Sequence, residues 1–230
     1  MVKRGIAWLK AFFQYLCSLI YDTFIVMPVT KVIYQQEARR LNGVFDRKPF
    51  SMLDIGTGTG LPLKEFMKIS SASRVLAIDI DESYVKTATW RFIDDDRVEV
   101  QYMNFMDVDS GFQERFDVVY FGFSFMLMPD KPEALRKAAK LIKPNGKILL
   151  FLTLYDQPNK IVEFIKPKMK YFTSIDFGEA MYKTDMPKIF KDSGMKEISC
   201  ERLSSKNHYL LNVFKIYRYE IIPTVNQLSV

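Results

Sequence analysis

Residues 53–60, Leu53-Asp54-Ile55-Gly56-Thr57-Gly58-Thr59-Gly60, set an acid and three alternating glycines between an apolar run and a helix-forming stretch, Leu61–Ile69. Glycine has no Cβ and adopts φ > 0 readily, so such a turn brings bare backbone against a ligand. The helix beyond it offers N–H groups with no partner inside the helix. The spacing is G-x-G-x-G rather than the G-x-G-x-x-G of dinucleotide folds. Asp54, ahead of the glycines, would repel a pyrophosphate and attract a cation. A ligand joining an ammonium group to a nucleoside suits this arrangement. A second acid, Asp79, stands nineteen residues after Gly60, at the end of the next apolar run. A carboxylate there can accept from both hydroxyls of a ribose, at the strand edge where ligands sit in open α/β sheets. Asp81, two residues on, suits the cap of the following helix.

The elements that must hold these residues alternate. Strands are expected at Ser51–Ile55, Arg74–Ile80, Val98–Met103, Phe116–Phe121 and Lys147–Leu152, with helices at Tyr84–Arg91 and Pro132–Ile142. Lys143-Pro144-Asn145-Gly146 reads as the stop of the second helix. Strands separated by helices imply right-handed βαβ units and a parallel sheet. The C-terminal part differs: a helix at Met186–Ser193, stopped by Gly194, precedes two strands, Lys196–Leu203 and His208–Glu220, linked by Ser204–Asn207. Two strands with a short polar link make an antiparallel hairpin.

The first forty residues follow another pattern. Ile6, Leu9, Phe12, Phe13, Leu16 and Ile20 recur at helical spacing opposite Lys3, Lys10, Gln14 and Ser18. This is a strongly amphipathic helix, interrupted by Lys10 and Asp22 before it reaches the length of a membrane span. Three uses are open to it: packing on the domain core, lying in a membrane interface with Trp8, Phe12 and Phe13 in the acyl boundary, or docking on another protein. Its basic, acid-free character is also that of a mitochondrial targeting segment. A second helix, Thr30–Leu41, puts Gln35, Gln36, Glu37, Arg39 and Arg40 on its polar side. The organisation expected is a helical extension and lid at 1–42, a catalytic domain at 43–222 and a tail at 223–230.

In 230 residues, 48% are hydrophobic, enough for a sizeable core, and the net charge is +6. That charge permits nucleic acid, anionic lipid or acidic protein as partner and selects none. Cys17 and Cys200 lie far apart and match no metal spacing. A lone histidine, His208, argues against a His-based metal site or a Ser-His-Asp triad, so no metal is expected.

The ordered motifs from Tyr21 to Glu220 resemble those of class I S-adenosylmethionine-dependent methyltransferases. The resemblance implies a Rossmann-like, doubly wound α/β fold. Its seven-stranded sheet is mostly parallel and closed by an antiparallel C-terminal hairpin, with N-terminal amphipathic helices added. It implies S-adenosylmethionine as cofactor: Asp54, Gly56, Thr57, Gly58 and Gly60 around the methionine and ribose parts, Asp79 on the ribose and Ile80 against the adenine. The family's acid after the third strand, which accepts from the adenine amino group, is replaced by Asn104, with Asp107 as the alternative. Phe105 packs on the adenine or serves as a core aromatic, and Phe121 flanks the cofactor at the end of strand four. The Lys143–Gly146 turn matches the family's K-P-G-G with Asn145 for one glycine, and asparagine tolerates the left-handed region.

The lead-in around Ile20-Tyr21-Asp22 is similar to that of the quinone-biosynthesis C-methyltransferases and phospholipid N-methyltransferases. There it covers the cofactor as a lid, which makes Tyr21 and Tyr34 candidate substrate residues. The Asn-Pro-Pro-aromatic run of nucleobase and glutamine enzymes is missing after strand four, so nucleic acid is not an expected partner. In its place stands an apolar run with Phe121, Phe123, Phe125, Met126 and Met128. With the basic lead-in helix and Lys160, Lys166, Lys168 and Lys170, it points to a small hydrophobic acceptor, a quinone precursor or lipid, met at an anionic membrane surface through residues 3–20. No residue is required as a base, and no catalytic residue is assigned: placement and exclusion of water are the expected source of rate. The competing expectation is a methyltransferase-like accessory or assembly subunit of a membrane protein complex.

Overall fold

The computed structural model describes residues 27–108, 111, 115–157, 160–165, 178–203 and 215–224. The lead-in amphipathic helix, Tyr21, the 204–207 link, His208 and Lys166, Lys168 and Lys170 therefore lie outside the described residues.

The strands are β1 (Phe50–Ile55), β2 (Ala72–Asp79), β3 (Val98–Tyr102), β4 (Phe116–Gly122), β5 (Ile142–Thr153), β6 (Met195–Arg202) and β7 (Ile216–Pro223). They form one seven-stranded sheet in the order β3-β2-β1-β4-β5-β7-β6. β1 to β5 pair in parallel, while β7 runs antiparallel to both β5 and β6. The helices are α1 (Met27–Val44), α2 (Leu61–Met67), α3 (Glu82–Arg91), α4 (Lys131–Leu141), α5 (Lys160–Ile165) and α6 (Met186–Ser193). This is the Rossmann-like methyltransferase fold.

Strands covered on both faces read as near-continuous apolar runs, as Val118–Phe121 of β4 and Ile148–Leu152 of β5 do. Alternate side chains divide between two cores. Met52, Val118, Tyr120, Leu149 and Phe151 pack with Ile33, Tyr34 and Ala38 of α1 and Leu63 and Phe66 of α2. Leu53, Ile55, Val119, Phe121, Ile148 and Leu150 pack with Ala134, Leu135 and Ala138 of α4 and Phe190 of α6. The caps are local. Asp81 accepts from the N–H groups of Ser83 and Tyr84 at the start of α3, and Asp130 from Glu133 at the start of α4. Gly194, at φ 69°, closes α6.

Several boundaries differ from those expected. α1 begins at Met27, with Pro28 in the first turn, where its missing N–H costs nothing. It also runs to Val44, past the expected domain limit at residue 42. β5 starts at Ile142, directly after α4, because Phe116 already pairs with Ile142 before Val118 pairs with Lys147. The Lys143–Gly146 turn is thus an irregularity inside the strand, with Asn145 left-handed at φ 70°. β7 is described over Ile216–Pro223, past its expected end at Glu220 and one residue beyond the expected limit at 222, while residues 208–214 lie outside the described residues.

Glu37 was expected on the polar side of its helix. It is instead 2% exposed and holds Arg218 of β7 in a two-pronged pair, 2.7 Å on each arm. Arg40 pairs likewise with Glu201 of β6 at 2.6 and 2.9 Å. Residues 27–44 therefore belong to the domain, as one of the helices that cover the sheet.

Candidate functional site

The strand order reverses between β1 and β4, and this switch point places a crevice at the carboxyl ends of the central strands. The glycine turn leaves β1 there. Gly56, Gly58 and Gly60 all have positive φ, at 71°, 58° and 72°. The N–H groups of Gly56 and Thr57 both donate to the Ile78 carbonyl of β2, at 2.8 and 3.1 Å. The glycines have separate reasons. A Cβ on Gly56 would stand 2.5 Å from Ser124 Cβ, and one on Gly60 would meet Phe92 at 2.9 Å and Ala88 at 3.1 Å. A Cβ on Gly58 would meet nothing within 4 Å. Two glycines let the turn pack on its own protein, and the middle one leaves room for a ligand.

Asp79 faces the turn. Its Oδ2 accepts from the Gly58 N–H at 2.8 Å and its Oδ1 from the Asp81 N–H at 2.9 Å. Each oxygen keeps a further lone pair. Asp81 is spent on its helix cap, so geometry distinguishes the two acids as expected. Ile80, next to Asp79, is 66% exposed, an apolar surface beside the carboxylate. Arg91 Nε donates to Thr59 O at 2.9 Å, which ties the end of α3 to the glycine turn.

Asp54 is 2% exposed. Its Oδ1, together with Thr57 Oγ1, is a buried polar atom without a hydrogen-bond partner. Burial pushes the Asp54 carboxyl from its ordinary 3.8 up to about 7, with the nearby Thr57 hydroxyl opposing and the charge of Asp79 adding to the rise. A buried carboxylate with an orphaned oxygen is a group awaiting a cation or a donor.

The other expected residues are placed as follows. Asn104 Oδ1 accepts from Met106 N–H at 3.0 Å, and its Nδ2 donates to Asp107 Oδ2 at 3.0 Å. The amide is thereby fixed and brings the alternative acid, Asp107, against it. Phe105 and Phe121 are 2% and 0% exposed and meet edge to face at 5.4 Å. Their rings fill the core on the α4 side, the place that the core-aromatic alternative gives Phe105. Tyr34 is 4% exposed, its ring edge to face with Tyr120 at 5.3 Å and its hydroxyl against the Cα of Gly122. It is a packed residue under the site, not an open substrate contact. Of the apolar run after β4, Phe125 and Met126 are buried and Leu127 is 44% exposed.

Two residues, Ser124 and Tyr120, went unforeseen, and a third, Phe123, was read only as part of an apolar run. Ser124 is buried and donates to the Ile55 carbonyl, locking the end of β4 to that of β1. Phe123 has φ 67°, a strained conformation for an aromatic residue and one that clusters at functional loops. Tyr120 has an orphaned buried hydroxyl. A glycine and a serine two residues apart, Gly122 and Ser124 at the tip of an apolar strand, were the only sign of them in the sequence.

The donor set fits S-adenosylmethionine: an orphaned carboxylate for the ammonium, an open glycine for the backbone approach, and a second carboxylate at the turn for the ribose. A protein-family model described as a methyltransferase domain matches residues 53–148. The chain is 34% identical over 104 residues to the 27-O-demethylrifamycin SV methyltransferase of Amycolatopsis mediterranei, covering 43% of this chain and 37% of that protein. It is 25% identical over 158 residues to the ubiquinone/menaquinone biosynthesis C-methyltransferase UbiE of Idiomarina loihiensis, covering 64% and 62%. The chain thus spans about two fifths to three fifths of the length of these two relatives. The fold is that of an S-adenosylmethionine-dependent methyltransferase from Aquifex aeolicus, with a TM-score of 0.58 at 16% identity over 80% of this chain and 88% of the other. Residues 53–148 thus match a methyltransferase domain, and the chain resembles the class I S-adenosylmethionine-dependent methyltransferases, the quinone-biosynthesis enzymes among them.

Proposed function

We propose that this chain methylates a small hydrophobic acceptor, a quinone precursor or a lipid, at a membrane surface. The observation that carries the methyl-transfer reading is the pairing of Asp79 with the N–H of Gly58, the glycine of the turn that faces open space. When bound, S-adenosylmethionine supplies a methyl group on a positively charged sulfur, an electrophile that needs no metal. The residues of the chain do the rest. Asp79 would hold the ribose, the N–H groups of the glycine turn and the Asp54 carboxylate would hold the methionine end, and Ile80 would lie against the adenine. Rate comes from alignment of the acceptor and from exclusion of water, which effective molarities make large without a general base.

The acceptor reading draws on the names of the quinone-biosynthesis relatives and on the apolar segment beyond β4, where Phe123, Leu127 and Met128 keep exposed surface. The membrane surface is proposed from the amphipathic, basic pattern of residues 3–20, and the mitochondrion from the same basic, acid-free composition. Among the described residues no helix is long and apolar enough to cross a membrane.

The experiment is incubation of the full chain with methyl-labelled S-adenosylmethionine and a membrane lipid extract. Label in a solvent-extractable quinone or lipid fraction is the expected result; label confined to polar acceptors would overturn the hydrophobic reading. A second reading, an accessory or assembly subunit of a membrane protein complex, is favoured by one observation. The Asn104 amide, which stands where the family has an acid for the adenine, is engaged at both ends by Met106 and Asp107. Cofactor binding by calorimetry with no labelled product from any acceptor is the result that selects it.

A further inference from the structure

The cluster around Asp54 holds more than the cofactor contacts described above use. Asp54 Oδ1, Thr57 Oγ1 and Tyr120 Oη are all buried without a hydrogen-bond partner. Asp54 and Tyr120 are register partners on β1 and β4, so the two side chains stand next to each other on the α1 face of the sheet. They are 2% and 1% exposed. The titratable groups around them come from every neighbouring element. Asp79 of β2 acts on Asp54. Tyr34 of α1 lies against Tyr120, and the charges of Glu37 and Asp54 both reach the Tyr120 phenol. Glu37 is itself neutralised by Arg218. Burial, with the charge of Asp54 added, holds the Tyr34 phenol well above its usual range, so neither tyrosine can take a negative charge in place of Asp54.

An ionised carboxylate buried with an open oxygen is costly, and a proton removes that cost. A cation seated on the same oxygen removes it too, without the proton. Resting on the cofactor reading above, we propose that Asp54 carries a proton in the ligand-free protein and releases it when the ammonium group of the ligand binds. Tyr120 is a positioning residue in this exchange: its hydroxyl stabilises the ionised carboxylate through one ordered water, the usual means by which orphaned buried groups are satisfied. The balance is simple. The carboxyl O–H breaks, its proton goes to solvent, the ammonium keeps its own protons, and nothing is oxidised or reduced.

The elevated Asp54 value, about 7, puts this exchange in the neutral range. A carboxyl whose folded value exceeds its unfolded one binds more protons when folded. The ligand-free protein therefore loses stability as pH rises from roughly 4 to 7, and ligand affinity rises through the same window by up to about tenfold per pH unit.

The test is calorimetric titration of the full chain with S-adenosylhomocysteine, which keeps the ammonium and the ribose but has no methyl group to give. Buffers of different ionisation enthalpy count the protons released. Close to one proton at about pH 6 and almost none at about pH 8.5 is the expected result. Asp54→Asn should release none at either pH. Tyr120→Phe should still bind but shift the midpoint of proton release upward by about one pH unit, since it removes a donor to a charged group. A merely structural tyrosine would lower the melting temperature and leave that midpoint in place, which overturns its positioning role. Binding by the unmodified protein with equal proton counts at both pH values overturns the coupling alone. No binding at either pH overturns the coupling together with the cofactor reading. If Asp54→Asn fails to fold, the buffer series on the unmodified protein still decides. If it folds, urea curves of the two ligand-free proteins that run parallel from about pH 5 to pH 8 also overturn the proposal.

Discussion

Gly56 and Gly58 lie two positions apart with the same left-handed backbone, yet they answer to different constraints. Gly56→Ala drives a Cβ to 2.5 Å from Ser124 Cβ as well as into positive φ. We expect a loss of about 3 kcal/mol in urea denaturation, from left-handed strain and overpacking together. Gly58→Ala meets no atom within 4 Å, so its stability cost stays at about 1–2 kcal/mol, the strain alone. Its main effect falls on the ligand, as a drop in cofactor affinity of about tenfold or more by calorimetry. Asp79→Asn separates charge from shape. An amide oxygen can still accept from the Gly58 N–H, but the amide NH2 then faces the Asp81 N–H, so stability should fall by about 1–2 kcal/mol. Cofactor affinity should fall about tenfold or more, because the charged acceptor for the ribose is gone. Equal affinity of Asp79→Asn and the unmodified protein would remove Asp79 from the site. Asp54, Asp79 and the glycines could be read from the sequence because adjacency in the chain is what makes a turn. Tyr120 and Ser124 could not, because their importance comes from what β1 places beside them.

At the scale of elements, α1 is the instructive case. The helix itself was legible, and its apolar positions Ile33, Tyr34, Ala38 and Leu41 are all buried. Glu37 was misread because its partner, Arg218, stands 181 residues later, on a strand that reaches α1 only once the sheet is assembled. A buried pair of this kind is strongly destabilising to break and nearly neutral to replace as a whole. Arg218→Ala should therefore cost about 3–5 kcal/mol in urea denaturation. Glu37→Leu with Arg218→Met should recover most of that loss. A double variant no more stable than Arg218→Ala would mean that the pair does more than satisfy itself. The Lys143–Gly146 turn makes the same point for strands: its residues announce a break, and only the pairing of Phe116 with Ile142 shows that β5 has already begun.

At the scale of the whole molecule, charge is unevenly spread. Between Asp79 and Asp107 there are eight acids and three bases, in a chain of net charge +6. The α3–β3 edge is thus acidic while the remainder is strongly basic. On the proposed membrane surface, binding to vesicles rich in anionic lipid should fall with added salt. Replacing Lys3 and Lys10 by Glu should weaken it by about fivefold or more per residue in co-sedimentation, at about 1 kcal/mol for each basic charge near the surface. Binding that ignores both salt and these charges would count against the electrostatic part of the proposal. The amino-acid order by itself determined the alternation of strands and helices, the glycine turn, both carboxylates and the antiparallel end. Each of these depends on local spacing, backbone freedom or the period of apolar residues. Tertiary structure alone decided that β7 slots between β5 and β6, that Glu37 is buried against Arg218, and that Phe105 and Phe121 turn into the core. It also left one oxygen of Asp54 without a partner. Those outcomes arise when distant segments compete for the same two faces of one sheet, and burial and pairing across it settle the contest.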